Sequence, residues 1–252
     1  MTSLPAQPVK GLIDGLEVLQ QLSMAGHKMG GKEIARRLGL ETSRVNRILK
    51  TLAHLGLAHR TPEGKYLAGP AVHILAADFL FGGGLVRESL PCLEPLTEEG
   101  LITALGMLWE DKVSYIFHHT PGMAIEEGLG KTSLFPASKS AIGLILLAQK
   151  TDEEIRRLYT DREVPGIQGG VENLVKTVQR ARSVGFSEVE TNFHSIAVAV
   201  GSPAFAAVAF SGNISDHDKD RLVRRLQNAA ARIEQNLSQN ERKGENNAAD
   251  HR

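Results

Sequence analysis

The sequence predicts an α+β protein: an N-terminal winged helix-turn-helix, a linker helix, and a C-terminal domain with an antiparallel sheet flanked by helices. Three observations carry this. The 252 residues are neutral overall, yet residues 1–69 hold ten Lys and Arg against five Asp and Glu, while the rest hold 19 against 24. A basic front on an acidic body is the footprint of a nucleic-acid-facing module joined to an unrelated domain. Second, three short amphipathic helices followed by a small hairpin occupy that basic part, the winged helix-turn-helix layout. Third, from residue 85 onward strand-like runs mix with helical ones in the manner of an antiparallel sheet covered by helices.

The elements follow in order. Residues 1–10, with Pro5 and Pro8, read as a disordered lead-in. "LIDGLEVLQQLSMAG" (12–26) places apolar residues at 12, 13, 16, 18, 19 and 22 and closes at Gly26, a helix. "GKEIARRLGL" (31–40) is a second, with Ile34, Ala35 and Leu38 inward and Lys32, Arg36 and Arg37 outward. "GLE" makes a tight turn, and a third helix starts with Thr42 or Ser43 as N-cap. "LAHR" (57–60) and "KYLA" (65–68) are strands around the turn "TPEG". The DNA-binding domain is thus set at 11–69. "PAVHILAADFLF" (70–81) has Pro at its first helical position and ends in "GGG", so 70–84 reads as linker helix and hinge.

In the second domain, set at 85–238, "LVRESLPCLEPLTEEG" reads as helical despite two prolines. "LITALGMLWE" and "KVSYIFHHT" are strands around a turn at Asp111, and "ASKSAIGLILLAQ", "DEEIRRLYT" and "VENLVKTVQRARSVG" are helices. "GFSEVE", "SIAVAV" and "FAAVAFSG" are strands, and "DHDKDRLVRRLQNAAARIEQNLSQ" closes the domain as a helix, before a polar tail over 239–252.

Composition narrows the function. With 42% hydrophobic and 23% charged residues the chain is an ordinary soluble type. The single Cys92 excludes an internal disulfide framework or a Cys-rich zinc site and suits a reducing compartment. The N-terminus has no apolar core of signal-peptide length, and the apolar run "AIGLILLA" (141–148) is too short to span a bilayer. A cytoplasmic protein without membrane insertion is expected.

The third helix is the most informative segment. At about 100° per residue, Val45, Ile48, Leu49, Leu52 and Leu55 share one arc, and Ser43, Arg44, Asn46, Arg47, Lys50, Thr51 and His54 the other. A solvated face normally mixes Glu with Lys; this one has no acid after Glu41. Its residue types are those that bond base edges and phosphates. A plain solvated helix is the competing explanation, and the basic, winged surroundings weigh against it.

Two sets of motifs now resemble one family. "GLEVLQQL", "EIARRLGLETSRVNRILKTLAHLGLAHR" and "GKYLAGPAVHILA", followed by "LFPASKSAIGLILLA", "GFSEVE", "SIAVAV" and "AAVAFSG", are similar in order and spacing to the IclR family of bacterial transcriptional regulators. The likeness runs from about residue 10 to about residue 238. It implies a homodimer or homotetramer that binds double-stranded operator DNA through the winged domain and a small-molecule effector through a GAF-like C-terminal domain. It also implies that the effector changes operator binding, and it leans towards repression. A symmetric dimer implies a palindromic operator. The chain departs from the family pattern at Ser138 (usually His), at Gly143-Leu144 (Gly-Lys), at Thr191 and Asn192 (an acidic pair) and at Ser195 (Cys).

On this reading Arg44 and Asn46 probe bases, while Ser43, Arg47 and Lys50 divide between phosphates and bases. Thr42 and Ser43 sit at a helix N-terminus suited to a phosphate. Lys32, Arg36, Arg60 and Lys65 hold flanking phosphates, with plain solubility the alternative for the first two. In the C-terminal domain the helix opening "PASKSAIG" offers the Ser138 and Ser140 hydroxyls at a positive dipole end, a seat for a small carboxylate; the alternative is that both merely cap a core helix. By family position Ser140, Ala141 and Ile142 line a pocket from one side, and Ser195, Ala209 and Ser211 from the sheet. Glu190 is a further contributor, and Met123 and Leu129 are expected as an apolar wall.

No cofactor, metal site or catalytic residue is expected. "HH" at 118–119 projects to opposite faces of a strand, Ser215 with acids behind it reads as a helix cap, and no nucleophile elbow occurs. The alternative function is a small-molecule-processing enzyme whose winged domain serves assembly or protein binding.

Overall fold

The computed structural model describes residues 6–78, 84–129 and 134–249, the last nine by backbone alone. The chain divides into two compact units, residues 2–83 and 84–252. Parts of four expected features lie outside the described residues: the lead-in up to residue 5, the end of the linker helix (79–81), Gly82 and Gly83 of the hinge, and the tail from 250.

In the first unit α1 (Lys10–Ala25), α2 (Gly31–Leu38) and α3 (Thr42–His54) precede β1 (Ala58–Arg60), β2 (Tyr66–Ala68) and α4 (Pro70–Ala77). The periodic apolar residues Val18, Leu22, Ile34, Ala35, Val45, Leu49 and Leu52 form one core with Met29, Ala58 and Tyr66. Met29 also joins the hairpin: its N–H donates to Tyr66 O and it accepts from Tyr66 N, both at 2.8 Å. That adds an isolated bridge beside the two-stranded hairpin, absent from the sequence reading. Gly39 takes the left-handed conformation that ends α2. The turn is so tight that Thr42 is already helical, and the N-cap is Glu41, not Thr42 or Ser43.

In the second unit α5 (Leu85–Thr97) is followed by the hairpin β3 (Ile102–Trp109) and β4 (Lys112–His119), then β5 (Leu134–Pro136), α6 (Ala141–Leu147), α7 (Asp152–Leu158), α8 (Gly170–Val184), β6 (Ser187–Glu190), β7 (His194–Val200), β8 (Ala206–Gly212) and α9 (Asp216–Ala249). Six strands form one antiparallel sheet in the order β5-β4-β3-β8-β7-β6. One face carries small residues (Ala104, Ala197, Ala207 and Ala209) under α6, α7 and α8. The other carries Leu105, Phe117, Ile196, Val198, Val208 and Phe210 under α5 and α9. Burying each of these larger side chains contributes about 1.5–3 kcal/mol.

The helix expected over the two prolines is present, and two other expectations change. Pro91 and Pro95 sit inside α5 on its exposed side, where water can satisfy the carbonyls they leave free. "ASKSAIG" is not one helix: residues Ala137–Lys139 form a single 3-10 turn, Ser140 is extended, and α6 begins only at Ala141. Gly143 permits this, because any side chain there would strike the backbone of Ala137. The segment read as a polar tail continues α9 as far as Ala249; its Glu, Arg, Lys and Ala residues are good helix formers, and polarity alone does not end a helix.

Candidate functional site

Two regions gather functional side chains, one in each unit. On α3, Val45, Leu49 and Leu52 are buried and Ser43, Asn46, Arg47, Lys50 and His54 are exposed. The exposed set recurs at three- and four-residue spacing and therefore forms one ridge. Ser43 Oγ donates weakly to Glu41 Oε2 at 3.5 Å, and Thr51 Oγ1 donates to Arg47 O at 3.1 Å. Asn46 reaches the start of α2, where Gly31 leaves room for its amide. Lys32 and Arg36 are exposed on α2, while Arg37 is held by Glu33 at 2.9 Å. Arg60 and Lys65 are exposed where the hairpin turns, a turn closed by Thr61 N donating to Lys65 O at 2.8 Å. Thr42 is half-buried in the first turn of α3.

Arg44 differs from its neighbours. Its Nε contacts Asp14 Oδ2 on α1 as an ion pair, and the Asp14 side chain is only 5% exposed. This placement turns Arg44 towards α1, away from the ridge on which a base-probing role was expected.

In the second unit a cavity of about 190 Å³ opens between the small-residue face of the sheet, the Lys139–Ile142 segment and the β6–β7 turn. Ala104, Ala209, Ser195 and Ser211 line it from the sheet, Tyr115 and His118 from β4, and Thr191 and Phe193 from the turn. Ser195 and Ser211 are direct partners across β7 and β8, and the Ser195 hydroxyl donates to Ser211 Oγ at 2.8 Å. The Tyr115 hydroxyl and Ser140 Oγ share a hydrogen bond of 3.0 Å, and Ser140 Oγ accepts from Gly143 N at 3.3 Å. Burial pushes the Tyr115 phenol up from its ordinary value, against the opposing pull of that hydrogen bond, so it remains a neutral donor or acceptor.

Tyr115 and His118 share this cavity because of a β-bulge. Leu105 pairs with Phe117 and Gly106 with Tyr115, which leaves Ile116 as the extra residue of β4. In a regular strand, positions three apart face opposite sides. The bulge brings both rings to one side, with centroids 5.6 Å apart and edge to face. His119 faces the other way, stacked on Phe117 with Nε2 3.0 Å from Met123 O.

Of the expected pocket residues, Ser140, Ala141, Ile142, Ser195, Ala209 and Ser211 are brought together; Met123, Leu129, Ser138 and Glu190 are not. Leu129 bridges to Phe117 and packs with the α5–α9 core, because the loop after β4 crosses to the opposite face of the sheet, and Met123 belongs to that loop. Ser138 is buried and donates to Pro165 O at 2.7 Å, so it ties loops together and offers a ligand nothing. Glu190 ends β6 exposed to solvent. Tyr115, His118, Lys139, Thr191 and Phe193 were missed. Their signal lay in strand register and loop closure, which one sequence does not display.

Other sequence features have structural explanations. Ser215 caps α9, accepting from Asp218 N at 3.3 Å and donating to its carboxylate at 2.7 Å. The Cys92 thiol is buried, pushed up by that burial, and lies 3.8 Å from Glu88 O. No helix among the described residues is long and apolar enough to cross a membrane.

Comparison with known proteins adds the decisive observation: residues 14–62, which span α1 through the first wing strand, match the IclR helix-turn-helix domain. The first unit is thus an IclR-type helix-turn-helix domain. The chain is 25% identical over 217 residues to the HTH-type transcriptional regulator BhcR of Paracoccus denitrificans, covering 81% of this chain and 77% of that one. With the HTH-type transcriptional regulator KdgR of Dickeya chrysanthemi it shares 27% identity over 201 residues, 75% of this chain and 64% of the relative. Among solved IclR-family structures, a regulator from Silicibacter sp. TM1040 superposes with a TM-score of 0.75 at 18% identity, over 90% of this chain and 96% of the other. An IclR homologue from Microbacterium hydrocarbonoxydans complexed with 4-hydroxybenzoate superposes with a TM-score of 0.64 at 22% identity, over 90% and 99%. These likenesses extend the IclR-family fold over the α+β second unit.

Proposed function

We propose that this regulator is a cytoplasmic, ligand-responsive repressor that acts by binding and not by catalysis. The observation that carries the reading is the exposed ridge of Ser43, Asn46, Arg47 and Lys50 on the third helix of an IclR-type domain. Asn46 and Arg47 have the side chains that pair bidentately with adenine and guanine in the major groove. Ser43 and Lys50 hold phosphates beside them, Thr42 adds the backbone N–H groups of the helix start, and Lys32, Arg36, Arg60 and Lys65 neutralise the flanks. A homodimer or homotetramer presents two such helices to a palindromic operator.

The effector is a compact organic anion. The cavity is smaller than the roughly 300–1,000 Å³ of drug-sized sites. Lys139 is the cation among its lining residues, which include no carboxylate, and Tyr115, Ser140, Thr191, Ser195 and Ser211 supply hydroxyls above an alanine floor. Such a lining favours a carboxylate with a flat apolar body. The relative solved with 4-hydroxybenzoate supports the same chemical class.

The test is fluorescence anisotropy of the purified chain with the duplex from upstream of its own gene. A scrambled duplex runs beside it, at two salt concentrations, with and without a panel of small carboxylates. Tight, sequence-selective binding with a steep salt slope, released by one acid, is the expected result. Equal weak binding to both duplexes, unchanged in an Arg47→Ala variant, would overturn the reading.

A further inference from the structure

Arg44 lies among the DNA-facing residues in sequence, yet the structure gives it different work. With Ile48, Thr51 and Leu55 it lines the α1–α3 groove against Gly11, Gly15, Leu16 and Leu19 of α1; Ser43 and Arg47 border the same groove, but the ion pair to α1 is made by Arg44. Asp14, between the two glycines, is nearly all buried, with its side chain 5% exposed, and Arg44 is its ion-pair partner among the described residues. A carboxylate withdrawn from water is tolerated when a counter-charge stays with it. An Arg44 that swung out to a base or phosphate would leave that charge buried and uncompensated. The exchange is unfavourable, because a contact to DNA made from solvent is weak beside the cost of stranding a buried ion.

We infer that Asp14 and Arg44 form an internal clamp that seats the recognition helix on α1, and that Arg44 is a positioning residue which reads no DNA. Asp14 thereby determines which cations of α3 remain for the operator: Arg47 and Lys50, beside Asn46. The inference rests on α3 being the DNA-facing helix. It separates two arginines, at 44 and 47, that the sequence presents as equivalents.

The experiment uses the full chain and a random-sequence duplex pool. The wild type selects its own preferred duplex, and variants are scored on that duplex and by their own selections. The double variant D14L/R44M replaces the ion pair by apolar side chains. It is expected to select the same sequence, to bind within about threefold of wild type, and to keep the wild-type salt slope, since no phosphate contact has been lost. Arg47→Ala, in contrast, loses a specified base. A folded double variant that drops a specified base, or whose salt slope falls by about 0.9 with a tenfold or greater loss of affinity, overturns the clamp. If the double variant does not fold, Arg44→Lys decides: it keeps a charge for Asp14 but loses the planar fork that recognises guanine. An unchanged selected sequence then supports the clamp, and a lost guanine overturns it. A wild-type chain that selects nothing would overturn the DNA-facing role of α3 itself, a result distinguishable from loss confined to the Arg44 variants.

Discussion

The ridge of α3 and the cavity of the second unit are assembled by opposite means. Every residue of the ridge lies within 13 consecutive positions of one helix, and its geometry is the 3.6-residue period. The cavity draws on β3, β4, the 3-10 turn before α6, the β6–β7 turn and the paired strands β7 and β8, over residues 102–211. The first site survives whatever keeps one helix folded. The second exists only when β3, β4, β7 and β8 hold their register, so it is more easily remodelled by substitution. Thr191 and Ser195, two of the positions at which the sequence departs from the pattern it resembles, line that cavity.

Substitutions can break this contrast or sharpen it. The largest effect is expected from Ala209→Leu. Ala209 lines the cavity between Ala104 and Ala197 across the sheet, and a larger side chain there fills space that a ligand needs. Ligand response should vanish while operator affinity in the absence of ligand stays within about twofold, at a stability cost of about 1–3 kcal/mol. Calorimetric titration with the responsive acid, paired with thermal unfolding, checks both halves; a retained response would show that the cavity is not the sensor. Next is Arg47→Ala, expected to weaken operator binding by about 1–3 kcal/mol, or roughly 5- to 150-fold, with relaxed selectivity. Its thermal unfolding should be unchanged, because Arg47 is exposed.

The ridge was legible in advance. Its apolar and polar arcs follow from spacing alone, and Ser43, Asn46, Arg47 and Lys50 are exposed on the arc assigned to them. Spacing could not reveal that Arg44 meets a buried acid thirty positions away, since that contact depends on how α1 and α3 pack. In the cavity, motif position located Ser140, Ala141, Ile142, Ser195, Ala209 and Ser211, while Met123 and Leu129 went to the other face with their loop.

A smaller effect should come from Tyr115→Phe, which removes the hydroxyl that bonds Ser140. The loss is about 0.5–1.5 kcal/mol of ligand affinity, roughly 2- to 13-fold, with operator binding untouched. An affinity equal to wild type would detach Tyr115 from recognition and leave it as packing. The smallest is Lys50→Ala, which should lower the salt slope of operator binding by about 0.9, the share of one phosphate, without changing which sequence is preferred. A changed preference in a competition assay would make Lys50 a base reader.

The amino-acid sequence by itself determined the two-part plan, the helical periods, the wing and the polar face of α3, because each rests on contacts between residues a few positions apart. Only the tertiary structure decided that Tyr115 and His118 face one cavity, that Met123 and Leu129 do not, and that Arg44 is bound inward. The extra residue Ile116 reverses the side-chain alternation of β4 halfway along, and the packing of α1 on α3 buries Asp14. Both are properties of neighbours distant in the chain, and a local period carries no information about them.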